Sequence, residues 1–352
     1  MAYIISGIQQ LGVGVPNVQE GFKWYRQNLG IDIPILDEAS EANLMLPYTG
    51  QKPHQRHAIL AISGKGGGGL EIWQYTSRTP QPCPFSIELG DLGILIGKIK
   101  TENIQDSFTF FNKKGVTILG KITENPIKQK HFYIKDLYGN MFEVIESQEM
   151  FGSSNHATGG PIGAVMGVTD VDKSIKFYAD ILGYDKVLFD KEGTFSDLQN
   201  LPAGENKCRR VILTHSKPRE GSFSRMLGNS YIELIKVYDK TPRKIFENRF
   251  WGDLGFIHLC FDIKNMNALR IKCAEAGCAF TVDSGTNFEM GDAAGHFSYI
   301  EDPDGALIEF VETFKIPILK KLGWYLDLRK RKPEKPLPNW MLKTLSFSRV
   351  KD

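Results

Sequence analysis

The chain has 352 residues, 41% hydrophobic and 24% charged, the make-up of a globular protein long enough for two domains or for one built from repeats. That composition excludes collagen-like and wholly disordered readings, and no apolar run approaches the roughly 20 residues that span a bilayer. The net charge of +2 conceals an asymmetry: from Lys315 onward eleven Lys and Arg face three acidic residues, so the tail carries +8 and residues 1–314 carry −6.

An acidic body argues against nucleic acid as the main ligand. The first residues lack a basic start and are broken by Gly and Gln, so they read as mature protein and a cytoplasmic location is expected. Five scattered cysteines with no CxxC pair suggest buried free thiols, not a disulfide scaffold or a zinc ribbon.

In chain order, the first pattern is a strand of alternating character, Gln10–Val15, followed by Val18, Phe22, Tyr25, Leu29 and Gly30. Apolar residues at that spacing share one helix face, and the glycine stops the helix. Val171, Ile175, Tyr178, Leu182 and Gly183 repeat the pattern 153 residues later, behind the strand Gly163–Val168. Asp91–Ile96 opens a second unit whose helix carries Ile104, Phe108 and Phe111 and ends at Gly115. His258–Ile263 opens another, with Met266, Leu269 and Cys273 ending at Gly277. Each of the four units closes on a strand with a glutamate among apolar residues: Glu71, Glu143, Glu233 and Glu309. The turns Asp136–Asn140 and Asp302–Ala306 introduce two of those strands, each with a glycine for the positive φ of a tight hairpin. Glu149–Gly160, rich in Gly, Ser and Asn, reads as the divider between halves.

Four βαβββ units, each with a glutamate on the last strand, are similar to the vicinal oxygen chelate superfamily, which includes glyoxalase I, extradiol dioxygenases and bleomycin-resistance proteins. The resemblance covers about residues 5–313. It implies an α+β fold in which four βαβββ modules pair into two cupped-sheet domains, plus a C-terminal basic extension. The expected divisions are residues 1–148, a linker at 149–160, residues 161–313, and a tail at 314–352. It also implies one divalent metal ion (Mg, Mn, Fe, Ni or Zn) held inside a cup by the opening and closing strands.

Carried onto this sequence, the N-terminal half offers Gln10, Glu71, Asp91 and Glu143 as metal ligands, and the C-terminal half offers Glu233, His258 and Glu309, with Gly163 unable to ligate. Period-two alternation independently puts Gln10 and His258 on the face opposite their apolar neighbours, where a buried carboxylate needs a partner. By resemblance Glu143 or Glu309 is the catalytic base. The implied activity is that of a glyoxalase-type lyase or isomerase acting on a small oxygenated metabolite by metal-stabilised proton transfer. The alternatives are an iron-dependent extradiol-type dioxygenase and a non-catalytic, small-molecule-binding protein of the resistance type.

His131 and His296 stand near the strands leading to Glu143 and Glu309 and are expected as neighbours, not ligands. Lys65–Gly69 reads as a hairpin turn, since a strand and not a helix follows it. Substrate choice is expected to lie in the loops Pro34–His57 and Phe189–Gly228. The tail's aromatics, among them Trp324, Trp340 and Phe347, are expected to pack on the body or on a second copy of the chain, which would make a homodimer.

Overall fold

The computed structural model describes residues 2–286, 288–290, 293–319 and 324–351. Lys320–Gly323 and Asp352 of the expected tail lie outside them. The first module is β1 (Ile4–Gly14), α1 (Val18–Leu29), β2 (Ile33–Glu41), β3 (Gln55–Ile62) and β4 (Gly69–Tyr75). The second is β5 (Gly93–Thr101), α2 (Ile104–Lys113), β6 (Ile118–Glu124), β7 (Lys130–Lys135) and β8 (Met141–Glu146). The third is β9 (Pro161–Gly167), α3 (Val171–Leu182), β10 (Lys186–Gly193), β11 (Cys208–Thr214) and β12 (Tyr231–Val237), with a short helix, α4 (Ser224–Leu227), before its last strand. The fourth is β13 (Gly255–Lys264), α5 (Met266–Glu275), β14 (Val282–Asp283), β15 (Phe288–Met290), β16 (Ala293–Glu301) and β17 (Leu307–Leu319).

The four module helices begin at side-chain caps: Asn17, Asn103, Asp170 and Asn265 each accept a backbone N–H of the first turn, which satisfies a donor that the helix itself cannot. Gly30 and Gly183, at φ 65° and 71°, end α1 and α3 in the left-handed conformation. The Lys65–Gly69 run is the β3–β4 turn, with Gly67 and Gly68 at positive φ. Two expectations are corrected. The segments Pro34–His57 and Phe189–Gly228 are not loops throughout but carry β2, β10 and β11 and the start of β3. The tail does not begin at 314, because β17 runs on to Leu319 and pairs with β18 (Trp324–Asp327).

The sheets join modules across the two halves of the sequence. One follows the order β14-β16-β17-β13-β1-β4-β3-β2, modules four and one; the other follows β10-β11-β12-β9-β5-β8-β7-β6, modules three and two. The expected pairing of sequence neighbours within one cup is therefore not the pairing the strands adopt. At each seam the two opening strands run antiparallel, β1 with β13 and β5 with β9, and each closing strand lies parallel to its own opening strand.

Neighbouring modules in sequence meet instead through a common core. Leu11, Ile72, Phe142, Val144, Met166, Leu234, Phe261 and Phe310, one or more from each module, belong to a single buried cluster with the helices' apolar faces. Two equivalent hydrogen bonds cross it. Tyr25 of α1 donates to Asp136 of the second module at 2.6 Å, and Tyr178 of α3 donates to Asp302 of the fourth at 3.0 Å. Each aspartate also accepts backbone N–H groups of its own hairpin turn. Burial raises the Tyr25 and Tyr178 hydroxyls well above their ordinary value, with the paired aspartates adding to it, so both remain donors.

In the tail, Leu328, Leu337 and Leu342 are buried against Ile33, Ile62, Phe223 and Met226. Val350 N–H donates to the Asp32 carbonyl at 2.9 Å. The described part of the tail thus packs on the body, leaving Trp340 and Phe347 exposed. No helix among the described residues is long and apolar enough to cross a membrane. Because the Tyr25 bond leaves a buried carboxylate short of a donor when removed, Tyr25→Phe is expected to lower stability by about 1–3 kcal/mol, read as a lower urea midpoint at unchanged slope.

Candidate functional site

The concave face of the first cup (modules one and four) gathers one polar side chain from each of four strands: Gln10 from β1, Glu71 from β4, His258 from β13 and Glu309 from β17. His258 Nε2 lies 3.2 Å from Glu71 Oε2 and 3.1 Å from Glu309 Oε2. Among the described residues, Glu71, His258 and Glu309 form the one group of three or more His, Cys, Asp or Glu whose ligand atoms all lie within 4.8 Å of one another. Gln10 donates through Nε2 to Glu309 Oε2 at 3.2 Å, and Tyr299 of β16 donates to Glu309 Oε1 at 2.8 Å.

Backbone register explains how a bulky imidazole reaches the centre. Gly12 faces His258 across the β1–β13 seam, and a Cβ there would stand 2.4 Å from His258 Cε1. Only glycine leaves room for the ring.

The electrostatics of the cluster favour positive charge at its centre. Burial would lower the His258 pKa, but Glu309 and then Glu71 overcome it and raise it to about 10. Burial likewise raises Glu309, and the His258 charge outweighs it and holds the carboxylate below its ordinary range. The pull that retains a proton on His258 serves equally for a metal cation. Gln10 Oε1 and both ring nitrogens of His258 are buried without an aligned hydrogen-bond partner. One amide oxygen, one imidazole nitrogen and two carboxylates are a donor set for a divalent ion. Glu71, 16% exposed at the side chain, is the most open of them.

Aromatic side chains wall the cluster. Trp251, on the segment before β13, stacks on His258 at 6.2 Å between ring centres and 11° between planes, and Tyr299 meets the same imidazole edge-on at 5.6 Å. Tyr75 donates to the Trp251 carbonyl, and buried Asp253 accepts Arg78, Gln81 N–H and Phe250 N–H, which fixes the segment. Trp251 also lines a cavity of about 230 Å³ with Tyr48, Phe246, Phe256, Ile257 and Leu307, and Lys244, Arg249 and Glu301 are among its polar walls.

The second cup is built differently. Glu143 and Glu233 face one another there, but Lys98 lies between them, donating to Glu143 and, at 2.6 Å, to Glu233. Arg210 donates to Glu233 at 2.5 Å and to Asp197 at 2.7 Å. His131 Nδ1 stands 2.7 Å from Glu143 Oε1. Two sequence expectations are corrected here. Glu143 and Glu233 do not join Gln10, Glu71, His258 and Glu309, and Glu143, tied to a buried ammonium, is not free to act as a base. Asp91 belongs to neither cup: it precedes β5 and is held by Arg243 at 2.8 and 2.9 Å and by Lys240 at 2.9 Å. His296 pairs with Asp283 at 2.5 Å and takes no part in the cluster.

The helix caps carry a signal that locates the equivalent positions. Gln10, Ile96, Gly163 and His258 each stand seven residues before a capping residue. The second-module counterpart of Gln10 is therefore Ile96 and not Asp91. Tyr299 and Trp251 have no such signal, because nothing local says that they reach the cup.

Residues 155–310 match the model of the Glyoxalase/Bleomycin resistance protein/Dioxygenase superfamily. That match covers modules three and four, and with the cupped sheets it makes this part of the chain similar to the vicinal oxygen chelate superfamily. A point mutant of glyoxalase I from Zea mays is similar over 87% of this chain and 93% of its own, at 14% identity and a TM-score of 0.54. A putative dioxygenase from Bacillus subtilis is similar over 88% of this chain and 86% of its own, at 15% identity and a TM-score of 0.54. At such identities these likenesses concern the fold. No curated protein sequence matches the chain.

Two expectations follow from the cups. Gly12→Ala forces the His258 ring from its place, so a displaced His258 imidazole signal in NMR and a stability loss of about 1–3 kcal/mol are expected. In the second cup, burial raises Glu143, but the Lys98 charge and then His131 hold it far below its ordinary 4.5. Its contribution to stability is thus full above the ordinary carboxylate range and is lost as the pH falls towards the folded value. The neutral pair Lys98→Met/Glu143→Gln should flatten the acid limb of stability against pH, measured by urea unfolding from about pH 6 to pH 3.

Proposed function

We propose that the first cup holds one divalent metal ion on Gln10, Glu71, His258 and Glu309. On this reading the protein is a metal-dependent lyase or isomerase of the glyoxalase type, acting on a small oxygenated metabolite by proton transfer. The observation that supports it is the convergence of an amide, an imidazole and two carboxylates from four strands on one concave face, with the imidazole nitrogens and one amide oxygen lacking aligned partners. A bound ion would supply Lewis-acid stabilisation of the oxyanion formed when a proton leaves the carbon beside the chelating oxygens.

The chain's own residues divide the remaining work. Glu309 is the base that takes the proton, oriented by Tyr299 and Gln10 on its two oxygens. Trp251 and Tyr299 exclude water from the imidazole side. Glu71, with its partial exposure, stands at the side open to substrate.

The donor set favours this reading over a ring-cleaving dioxygenase, since the two-His-one-carboxylate arrangement of non-haem iron oxygenases needs a second histidine and the cluster holds one. Elemental analysis should find one equivalent of metal after reconstitution with Mg, Mn, Fe, Ni or Zn, and His258→Ala should lose it. Glu309→Gln, metal-loaded, should turn over thiol adducts of 2-oxoaldehydes or epimerisable acids about 10²–10⁴-fold more slowly. Protein that stays metal-free with every ion overturns the reading. A ligand-induced thermal shift indifferent to chelator would point instead to a sequestering cup.

A further inference from the structure

We propose that the second cup is a metal site closed by the chain's own cation. The Lys98 ammonium occupies the place of an ion between Glu143 and Glu233, so this cup takes no metal while Lys98 is present and becomes a divalent-cation site when Lys98 is removed. The count of ions per chain rests on the reading of the first cup; the closure of the second does not.

The equivalence of the four modules carries the inference. The closing glutamates correspond one to one: Glu143 and Glu233 are buried on their concave face, as Glu309 is on the other, where Glu71 is part-exposed. The opening positions differ. Where the first cup has Gln10 and His258, the second has Ile96 and Gly163, which offer no side-chain donor. Two carboxylates left there without a cation would be strongly destabilising.

Lys98 resolves this from two residues further along β5. It lies opposite Gly163 across the β5–β9 seam, as His258 lies opposite Gly12 in the other cup. A Cβ on Gly163 would stand 2.1 Å from the Tyr231 carbonyl oxygen and 3.2 Å from Lys98 Cδ, so the glycine that the neighbouring strand requires also leaves the Lys98 stem its room. Lys98 is 2% exposed, and its Nζ sits 2.6 Å from Glu233 Oε2 and within bonding reach of Glu143 Oε2. Those are oxygen distances that a Ca²⁺-sized ion also adopts. Glu143 Oε1, fully buried, accepts no aligned hydrogen bond, and His131 Nδ1 stands beside it, so a third ligand is at hand. Arg210 remains committed to Glu233 and Asp197 and does not fill the space that Lys98 vacates.

The test is metal stoichiometry with Mn²⁺, counted by elemental analysis after removal of free ion and by the electron paramagnetic resonance of the bound ion. His258→Ala, which disables the first cup, is expected to bind none, and His258→Ala/Lys98→Met to bind one. Adding Glu143→Gln to that double variant should return the count to none. On the wild-type first cup, Lys98→Met should raise the count by one. An ion bound by His258→Ala alone that is lost on adding Glu143→Gln would overturn the proposal, as would a folded Lys98→Met protein that gains no ion. Lys98→Met unfolded without metal but recovered in Mn²⁺ supports it; failure to fold in either condition, while Lys98→Met/Glu143→Gln folds, counts against it. If the first cup binds no metal, the wild type gives none and Lys98→Met still gives one, so the two readings fail separately.

Discussion

A carboxylate buried on the inside of a curved sheet has to be neutralised, and this chain places two on each of two concave faces, all but Glu71 buried. Every closing strand delivers a glutamate inward because alternation fixes its face once its apolar neighbours, such as Leu70 and Ile72 or Ile308 and Phe310, are committed to the core. The penalty for leaving such a group uncompensated amounts to several kcal/mol. The two cups meet it by different means. In the first an imidazole stands between the glutamates with an amide and a phenol at the edges; in the second an ammonium and a guanidinium form a closed ionic network. The first arrangement leaves nitrogen and oxygen donors without aligned partners, and the second leaves little for a cation to do.

The cups are made across the sequence, whereas the core is made along it. Each cup draws one module from either side of the Glu149–Gly160 divider, but α1 reaches the turn of the second module and α3 that of the fourth through the buried Tyr25–Asp136 and Tyr178–Asp302 bonds. A substitution in the core of one half therefore bears on both cups. The arrangement also explains why glycine recurs at the seams. Where two opening strands run antiparallel, the side chain that crosses the cup passes over the residue opposite, and at Gly12 and Gly163 that residue has no Cβ.

Much of this is legible from spacing. The four helices and their caps, the closing glutamates, the two Asp–Gly turns and the β3–β4 glycine turn all rest on local physics: periodicity, capping and positive φ. Reading Asp91 as the opening residue of the second module sets it five residues too early, because Gly93–Gly97 is apolar on both faces, and a strand buried on both faces gives no alternation to set its register. The cap at Asn103 preserves the correct position, Ile96. Lys98 gives no local signal for a general reason: a lysine in an apolar strand looks like an edge residue until the carboxylates that surround it, 45 and 135 residues away, are brought to it.

The amino-acid order alone thus determines how many modules there are, what each contains and which strand positions point inward, since those follow from interactions within about twenty residues. It cannot say which module meets which. Pairing is decided by the packing of whole sheets and helices, and that step moves His258 from the company of Glu233 to that of Gln10 and Glu71. The N-terminal half, with Asp91 where an imidazole is expected, lacks on sequence the imidazole that the fourth module brings to the first. Whether a buried glutamate shares an imidazole with a second carboxylate or becomes half of an ion pair with lysine is likewise a tertiary matter, because it depends on which side chain the fold places within about three ångströms of it.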